Sequence, residues 1–165
     1  MSLKIFDDKV IESIRSKLIR NRQTLAVAES VTAGMLQLAF SQADDASGFF
    51  QGGITAYNLG QKARHLHIDP IQGQAVNCVS EHIASELALQ VTHMFSSHWG
   101  LGITGYATRV PESGNNLFAY YAIVFQKNVV LTGEMRPSQE TALEVQQFYV
   151  NYLLSAFNNV VDFAR

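Results

Sequence analysis

The chain has 165 residues, a formal net charge of -2 and a single cysteine, and 47% of its residues are hydrophobic. This size and composition predict one globular domain over residues 1–165 with a substantial core. The charge gives no electrostatic footprint for nucleic acid, no apolar run is long enough for a membrane span, and the lone Cys78 excludes an intrachain disulfide and a cysteine-based zinc site. The amino terminus lacks the apolar segment of a signal peptide, so we expect a cytoplasmic protein without nucleic-acid or membrane partners.

Helical and strand periodicities alternate along the first part of the chain. Turn-forming residues separate the segments, and paired glycines interrupt the second predicted strand. In chain order we predict a helix over 8–20, a strand over 24–29, a helix over 32–41, a strand over 49–57, a helix over 58–66, a loop over 67–79 and a helix that Ser80 caps and that runs to about 95.

The rest of the chain predicts a sheet that closes with a hairpin. In chain order we expect a short strand over 101–105, a polar loop over 106–116, paired strands over 117–125 and 129–134, and a last helix that Ser138 caps and that runs to about 157. This order of elements indicates an α/β fold, specifically a three-layer α/β/α sandwich. The hairpin makes its sheet mixed rather than purely parallel.

The junction between the first strand and the second helix, residues 25–34, is where we expect a ligand site. Open α/β folds place their ligand sites at the carboxyl ends of parallel strands, and the first N–H groups of the following helix lack intrahelical partners. Ser30 and Thr32 could cap this helix, or they could serve as a nucleophile and an anion site. Spacing alone favours the cap for Ser30. Glu29 could charge the site or stabilise the first turn of the helix through its dipole.

Two residues farther along the chain are candidate bases for Ser30. A serine at a strand-to-helix turn can attack an acyl carbon if a neighbouring group takes its proton. A desolvated Lys62, or Tyr57, could do this without a histidine. The N–H groups of the turn could then stabilise the oxyanion.

Two other patterns are predicted to carry no function. Residues 100–105 match the dinucleotide-binding fingerprint G-x-G-x-x-G, but here the glycines bracket a strand and no helix is predicted to begin at Gly105. We therefore interpret the match as accidental. The five histidines lack the spacing of metal ligands, so we predict no metal site.

Short motifs occur along the chain in an order typical of one known family. They are Glu-Ser-Val-Thr-Ala-Gly at 29–34, the paired-glycine strand 52–57 with its Tyr57 and the following Lys62, Val-Ser-Glu at 79–81 and Thr-Gly at 104–105. In these motifs the chain resembles the carboxy-terminal domain of the competence/damage-inducible protein CinA, a family of nicotinamide mononucleotide deamidases. The family's own first motif is Glu-Ser-Cys-Thr-Gly-Gly.

The resemblance implies a mixed, mainly parallel five-stranded sheet and hydrolysis of the amide of nicotinamide mononucleotide to nicotinic acid mononucleotide and ammonia. Ser30 would be the nucleophile, and Lys62 or Tyr57 the general base or its helper. No metal or cofactor is implied. The chain would be the stand-alone form, without the amino-terminal domain of full-length CinA proteins. The substrate-binding positions, with the phosphate near the helix start, would be Glu29, Thr32, Gly34, Gly52, Gly53, Thr104, Gly105 and Arg109.

Several departures from the family pattern define a second hypothesis. Val31 replaces the signature cysteine, and Ala33 replaces a glycine, which is tolerable if the turn needs no positive φ there. The family's glycine-rich loop is bulkier, shorter and charged at 104–114, and its Gly-Asp-Arg becomes Gly-Glu-Met-Arg at 133–136. The alternative is therefore an inactive or re-purposed member that binds a nucleotide-like ligand or a protein partner.

The predicted hairpin also leaves the oligomeric state open. Its aromatic residues Phe118, Tyr120 and Tyr121 could form an edge that pairs with a second copy of the chain, or they could face the core of the domain itself.

Overall fold

The computed structural model describes residues 4–163. Its helices are α1 (Asp8–Asn21), α2 (Met35–Ser41), α3 (Leu59–Leu66), α4 (Pro70–Ala75), α5 (Glu81–Phe95) and α6 (Ala142–Val160). Its strands are β1 (Leu25–Glu29), β2 (Phe50–Thr55), β3 (Trp99–Gly105), β4 (Ala119–Phe125) and β5 (Asn128–Met135). Within the described residues, no helix has the length and apolar character needed to span a membrane.

The five strands form one sheet in the order β2-β1-β3-β4-β5. Strand β1 pairs in parallel with β2 and with β3, whereas β3–β4 and β4–β5 are antiparallel. The predicted α/β class and mixed five-stranded sheet are confirmed, with parallel and antiparallel pairings in equal number rather than mainly parallel ones. The three parallel strands bring their carboxyl ends to one edge of the sheet.

Helices cover both faces of the sheet, as a three-layer sandwich requires. One face is packed by α1, α2 and α6 with large side chains such as Phe40, Trp99 and Phe157. On the other face α3 and α5 pack against small residues of the central strands, including Ala26 and Ala28.

Strand β3 divides its residues between these two faces. Its large side chains Trp99, Leu101 and Ile103 enter the aromatic layer. Its glycines face α5, where a Cβ on Gly102 would lie 2.3 Å from the carbonyl oxygen of Ala84. The backbone of α5 can approach the sheet this closely only because these positions lack side chains. The glycine spacing of residues 100–105 therefore serves packing, which agrees with the prediction that the dinucleotide match is accidental.

The structure corrects the sequence predictions at two helices, one that was not predicted and one that begins later than predicted. Residues 70–75 form α4 inside the segment predicted to be a loop, because Asp69 caps its first turn and Pro70 suits the first helical position. The last helix begins after Thr141, whose side chain accepts from the N–H of Glu144, and not after Ser138. Ser80 caps α5 as predicted, by accepting from the N–H of Ile83.

Candidate active site

Ser30 lies at the carboxyl end of β1, between its two parallel neighbours. Its N–H donates to the carbonyl oxygen of Ile103 on β3 at 3.1 Å, which fixes the start of the turn that leads into α2. Helix α2 begins at Met35 after the N-cap residue Gly34, and neither Ser30 nor Thr32 caps it, so the prediction that one of them does is wrong. The turn closes through an N–H···O bond of 3.1 Å from Ala33 to Ser30. The Ser30 hydroxyl is thereby left for other chemistry.

The turn uses left-handed backbone at both of its last residues. Ala33 has a φ of 49° and Gly34 a φ of 98°. The condition under which alanine is tolerable at position 33, a turn without a positive φ there, is therefore not met. A glycine would adopt this conformation without the steric strain of a Cβ, so the replacement of the family's glycine by Ala33 costs some stability.

Glu29 holds the turn together from inside the protein. Its side chain is 1% exposed, and its Oε1 accepts from the Thr32 hydroxyl at 2.6 Å and from the Leu36 N–H at 2.7 Å. Its Oε2 accepts from the Gln37 N–H at 3.0 Å. The carboxylate thus satisfies the first donors of α2 and meets the positive end of the helix dipole, a placement close to the structural alternative considered for it.

Lys62 approaches Ser30 from α3. The residue is 2% exposed, and its Nζ donates to Ser30 Oγ at 2.9 Å. Asn58 caps α3 by accepting from the Gln61 N–H, which fixes the start of this eight-residue helix. Among residues 4–163, no carboxylate forms an ion pair with Lys62, and the Ser30 hydroxyl is its one side-chain hydrogen-bond partner.

Burial shifts this lysine toward its neutral form. Removal of the amine from water disfavours the ammonium form and lowers the pKa of Lys62, and the neighbouring Cys78 opposes part of that shift. Burial likewise raises the pKa of the Cys78 thiol, and the neighbouring Lys62 opposes part of that shift. A neutral amine within hydrogen-bond distance of a serine hydroxyl can take its proton.

Tyr57, the other predicted candidate for the base, occupies a different position. Its side chain is 70% exposed on the segment between β2 and α3. It lines the cavity next to Ser30, but within the described chain no hydrogen bond joins it to Ser30 or Lys62. The geometry therefore favours Lys62 as the base and leaves Tyr57 at the cavity wall.

Ser30 and Lys62 open into a cavity of about 500 Å³ at the carboxyl edge of the sheet. Thr104 and Gly105, at the end of β3, line it. The hydroxyl of Thr104 donates to the carbonyl oxygen of Cys78 at 2.7 Å, which ties β3 to the segment before α5. The volume is in the range of small-molecule sites.

The loop after β3 forms one wall of this cavity. Tyr106, Thr108 and Glu112 line it. Tyr106 is held in place because its hydroxyl accepts from the side-chain amide of Asn77 at 3.0 Å and its carbonyl oxygen accepts from the hydroxyl of Tyr149 at 2.8 Å. The departure from the family's glycine-rich loop thus changes the wall of the cavity itself.

The other predicted binding residues lie outside the lining. Arg109 turns away, donating to the carbonyl oxygen of Asn115 and pairing with Glu140 at 3.2 Å. Gly53 packs within β2, where a Cβ would meet the carbonyl oxygen of Val27 at 2.6 Å, and Gly52 faces the ring of Phe95. Glu29, Thr32 and Gly34 belong to the turn behind the cavity rather than to its surface.

Sequence analysis missed Gln146 and the hydrogen-bonding role of Asn77. Gln146 lines the cavity from α6 and donates through Nε2 to the carbonyl oxygen of Val31 at 2.9 Å. Its signal was a polar side chain next to the apolar stripe formed by Val145 and Tyr149. Asn77 lies in the segment 67–79, for which the sequence predicts a loop.

Metal ligands do not converge in the part of the chain that the structure describes. No group of three or more histidine, cysteine, aspartate or glutamate side chains in residues 4–163 could hold an ion. The described residues thus supply a serine and an amine for chemistry at this edge of the sheet.

Comparison with known proteins places the chain in a family. A family model described as the CinA C-terminal domain matches residues 7–155. The chain belongs to this family. A CinA-like protein of Thermosynechococcus vestitus is 34% identical over 166 residues, which cover 96% of this chain and 38% of the relative. A CinA-like protein of Picosynechococcus is 43% identical over 91 residues, 54% of this chain and 22% of the relative. The chain therefore spans less than half the length of the CinA-like relatives it matches.

Solved structures of the CinA superfamily share the fold. A superfamily protein from Klebsiella pneumoniae aligns with a TM-score of 0.89 at 21% identity, over 94% of this chain and 98% of that one. A competence/damage-inducible protein from Agrobacterium tumefaciens aligns with a TM-score of 0.85 at 21% identity, over 98% and 99% of the two chains. At this identity the likeness establishes the CinA architecture alone.

Proposed function

We propose that the protein is an amidohydrolase in which Ser30 is the nucleophile and Lys62 the general base. The observation that carries this proposal is the 2.9 Å contact between the Lys62 amine and the Ser30 hydroxyl inside a cavity. A buried lysine without a carboxylate partner is costly to the fold, and a catalytic need for a neutral amine explains its presence.

The first half of the reaction forms an acyl-enzyme. Lys62 takes the proton of the Ser30 hydroxyl as Oγ bonds to the amide carbon, and the carbonyl oxygen gains negative charge. The N–H groups of Val31 and Thr32 have no hydrogen-bond partner in the described residues and could receive that charge. The protonated Lys62 then gives its proton to the amide nitrogen, the carbon–nitrogen bond breaks, and ammonia leaves.

The second half restores the enzyme. A water molecule attacks the ester formed on Ser30, with Lys62 again accepting the proton, and Oγ leaves the carbon with that proton as the acid is released. The same amine therefore acts as base and acid in both halves. Atoms balance as one amide and one water giving one carboxylic acid and one ammonia.

The family resemblance makes the amide of nicotinamide mononucleotide the first substrate to test. Its hydrolysis would give nicotinic acid mononucleotide and ammonia, without a metal or cofactor. A planar aromatic amide suits a cavity that has Tyr57 and Tyr106 in its walls. The cytoplasmic location and the possible homo-oligomer remain expectations from the sequence.

Substitution of the nucleophile tests the proposal. Ammonia release from nicotinamide mononucleotide should fall at least about 10³-fold in Ser30→Ala, because no other hydroxyl of residues 4–163 is bonded to the base. Ser85→Ala is the matched control, since Ser85 lies on α5 outside the cavity lining and should keep full activity. Equal turnover by wild type and Ser30→Ala would reject the role of Ser30.

The second candidate is a member of the family that binds a nucleotide-like ligand or a protein partner without turnover. The altered wall formed by Tyr106, Thr108 and Glu112 favours it. It predicts a rise in thermal stability with ligand, about 2.7 kcal/mol at a hundredfold excess over the dissociation constant, and no ammonia. Serine-dependent release of ammonia would exclude it.

A further inference from the structure

The turn after Ser30 contains two buried N–H groups that the chain leaves unbonded. Val31 and Thr32 are 5% and 2% exposed, and among residues 4–163 neither backbone N–H has a hydrogen-bond partner. The N–H groups on either side of them, those of Ser30 and Ala33, both donate to carbonyl oxygens. Because a buried N–H without a partner is costly, the two donors are suited to an acceptor that arrives with the substrate. Ser30 and Val31 line the cavity, so the turn adjoins it.

The direction of the Thr32 N–H is fixed from the other end of its peptide group. This N–H and the carbonyl oxygen of Val31 belong to one planar trans peptide, so they point in opposite directions. The carbonyl oxygen accepts from Gln146 Nε2 at 2.9 Å and has no other hydrogen-bond partner in the described part of the chain. The peptide cannot rotate without breaking this bond. A bonded carbonyl also polarises its peptide, which makes the N–H a stronger donor.

Helix α6 gives Gln146 a rigid support. Its neighbours Val145 and Tyr149 on the same helix are fully buried in the core. Tyr149, three residues after Gln146, donates to the carbonyl oxygen of Tyr106 at 2.8 Å. One helix therefore holds both the turn that carries Ser30 and the loop that forms a wall of the cavity.

We propose that Gln146 is a positioning residue that acts through the Val31–Thr32 peptide and holds the Thr32 N–H, beside that of Val31, toward the reacting carbonyl oxygen. These donors matter when Ser30 bonds to the amide carbon and that oxygen gains negative charge. The inference rests on the proposed function for the reaction itself. The bond to the Val31 carbonyl, in contrast, can be measured without turnover.

A direct contact with the substrate is the competing role for Gln146, because its side chain also lines the cavity. The two roles affect different kinetic constants. A contact made equally in the ground state and the transition state lowers KM, so its loss raises KM and leaves kcat unchanged. Misplaced N–H donors weaken an interaction made in the transition state, so their effect falls on kcat.

Gln146→Met keeps the length of the side chain and removes its donor. We expect kcat for ammonia release from nicotinamide mononucleotide to fall at least about tenfold, with KM within about twofold of wild type. Gln147→Met is the matched control, because Gln147 is the next residue of α6 and lies outside the cavity lining. Its side chain has no hydrogen-bond partner among residues 4–163, so this variant should keep both constants.

Heteronuclear NMR of the free protein tests the positioning without turnover. The carbonyl carbon resonance of Val31 and the amide resonance of Thr32 should both move in Gln146→Met, because the variant releases the Val31 carbonyl. Both resonances should stay in place in Gln147→Met.

The two measurements separate this inference from the proposed function. A lower kcat together with movement of both resonances supports both proposals. If the wild type releases no ammonia, the proposed function fails alone, and movement of the resonances in Gln146→Met still supports the positioning. Unmoved resonances overturn the inference. So does a kcat within about twofold of wild type, and a raised KM in that case would show that Gln146 binds the substrate directly.

Discussion

Glu29 and Lys62 are a buried acid and a buried base near the carboxyl edge of the sheet, and they differ in the number of their hydrogen-bond partners. Glu29, at 1% exposure, accepts three hydrogen bonds from Thr32, Leu36 and Gln37. Lys62, at 2% exposure, has a single side-chain partner among the described residues, the Ser30 hydroxyl. The carboxylate is compensated for its loss of hydration, whereas the amine is not.

The number of hydrogen-bond partners distinguishes the structural carboxylate of Glu29 from the reactive amine of Lys62. A carboxylate that receives several donors is stabilised in its ionised form and fixes the backbone around it. A buried amine with few hydrogen-bond partners is shifted toward its neutral form, and in that form it can accept a proton. We expect substitutions at the two positions to affect different measurements.

The largest expected effect is on turnover. Lys62→Met should lower ammonia release by about 10³-fold, since the base is lost. It should leave the free energy of unfolding unchanged or raise it by about 1 kcal/mol, because methionine fills the site without a desolvated amine. Enzyme assays and urea denaturation measure the two quantities, with the exposed Lys127→Met as control. A loss of stability above about 2 kcal/mol would make Lys62 a structural residue.

Glu29→Gln should show the opposite behaviour. The amide cannot replace a carboxylate that accepts three bonds, so the free energy of unfolding should fall by about 2–3 kcal/mol. Glu144→Gln is the matched control, because Glu144 accepts from the Thr141 hydroxyl at an exposed helix start and should cost about 0.5 kcal/mol. Similar losses in the two variants would remove the distinction between buried and exposed carboxylates.

The pH dependence of turnover should follow Lys62. Since burial lowers the pKa of Lys62, kcat/KM should rise with pH through a value below the ordinary lysine pKa of about 10.4 and then level off. The unfolded chain binds the proton more readily, so this lysine costs stability below about pH 10.4, and that cost disappears above it. A pH profile of the wild type, with the stability of Lys62→Met measured across the same range, checks both signs. An acidic limb at or above pH 10.4 would contradict a neutral amine.

The smallest effect concerns one donor of Glu29. Thr32→Val removes the hydroxyl that donates at 2.6 Å and should lower the free energy of unfolding by about 1 kcal/mol. Thr55→Val removes an exposed hydroxyl that accepts from Gln37 at 3.1 Å and should change it by less than about 0.5 kcal/mol. If the two losses are equal, burial adds nothing to the bond to Glu29.

The sequence was sufficient to predict the layers and the edge where Ser30 lies, because periodicity and turn residues are local signals. The contact with Lys62 is not local, since 32 residues separate the pair. A signal for it existed on α3, where Lys62 follows Leu59 by three residues and precedes buried Leu66 by four, which places a lysine on the apolar face. The role of Glu29 was harder to predict from the sequence, because its hydrogen-bond partners depend on where α2 begins.

The division of β3 into bulky and glycine positions also bears on how the chain avoids misfolding. A shift of this strand by one residue would turn Trp99, Leu101 and Ile103 toward α5, whose carbonyl oxygens leave no room even for a methyl group at Gly100 or Gly102. In such a misaligned sheet, α5 could not pack against β3. The tight packing of β3 against α5 thus permits only the strand alignment in which β1 and β3 meet behind Ser30.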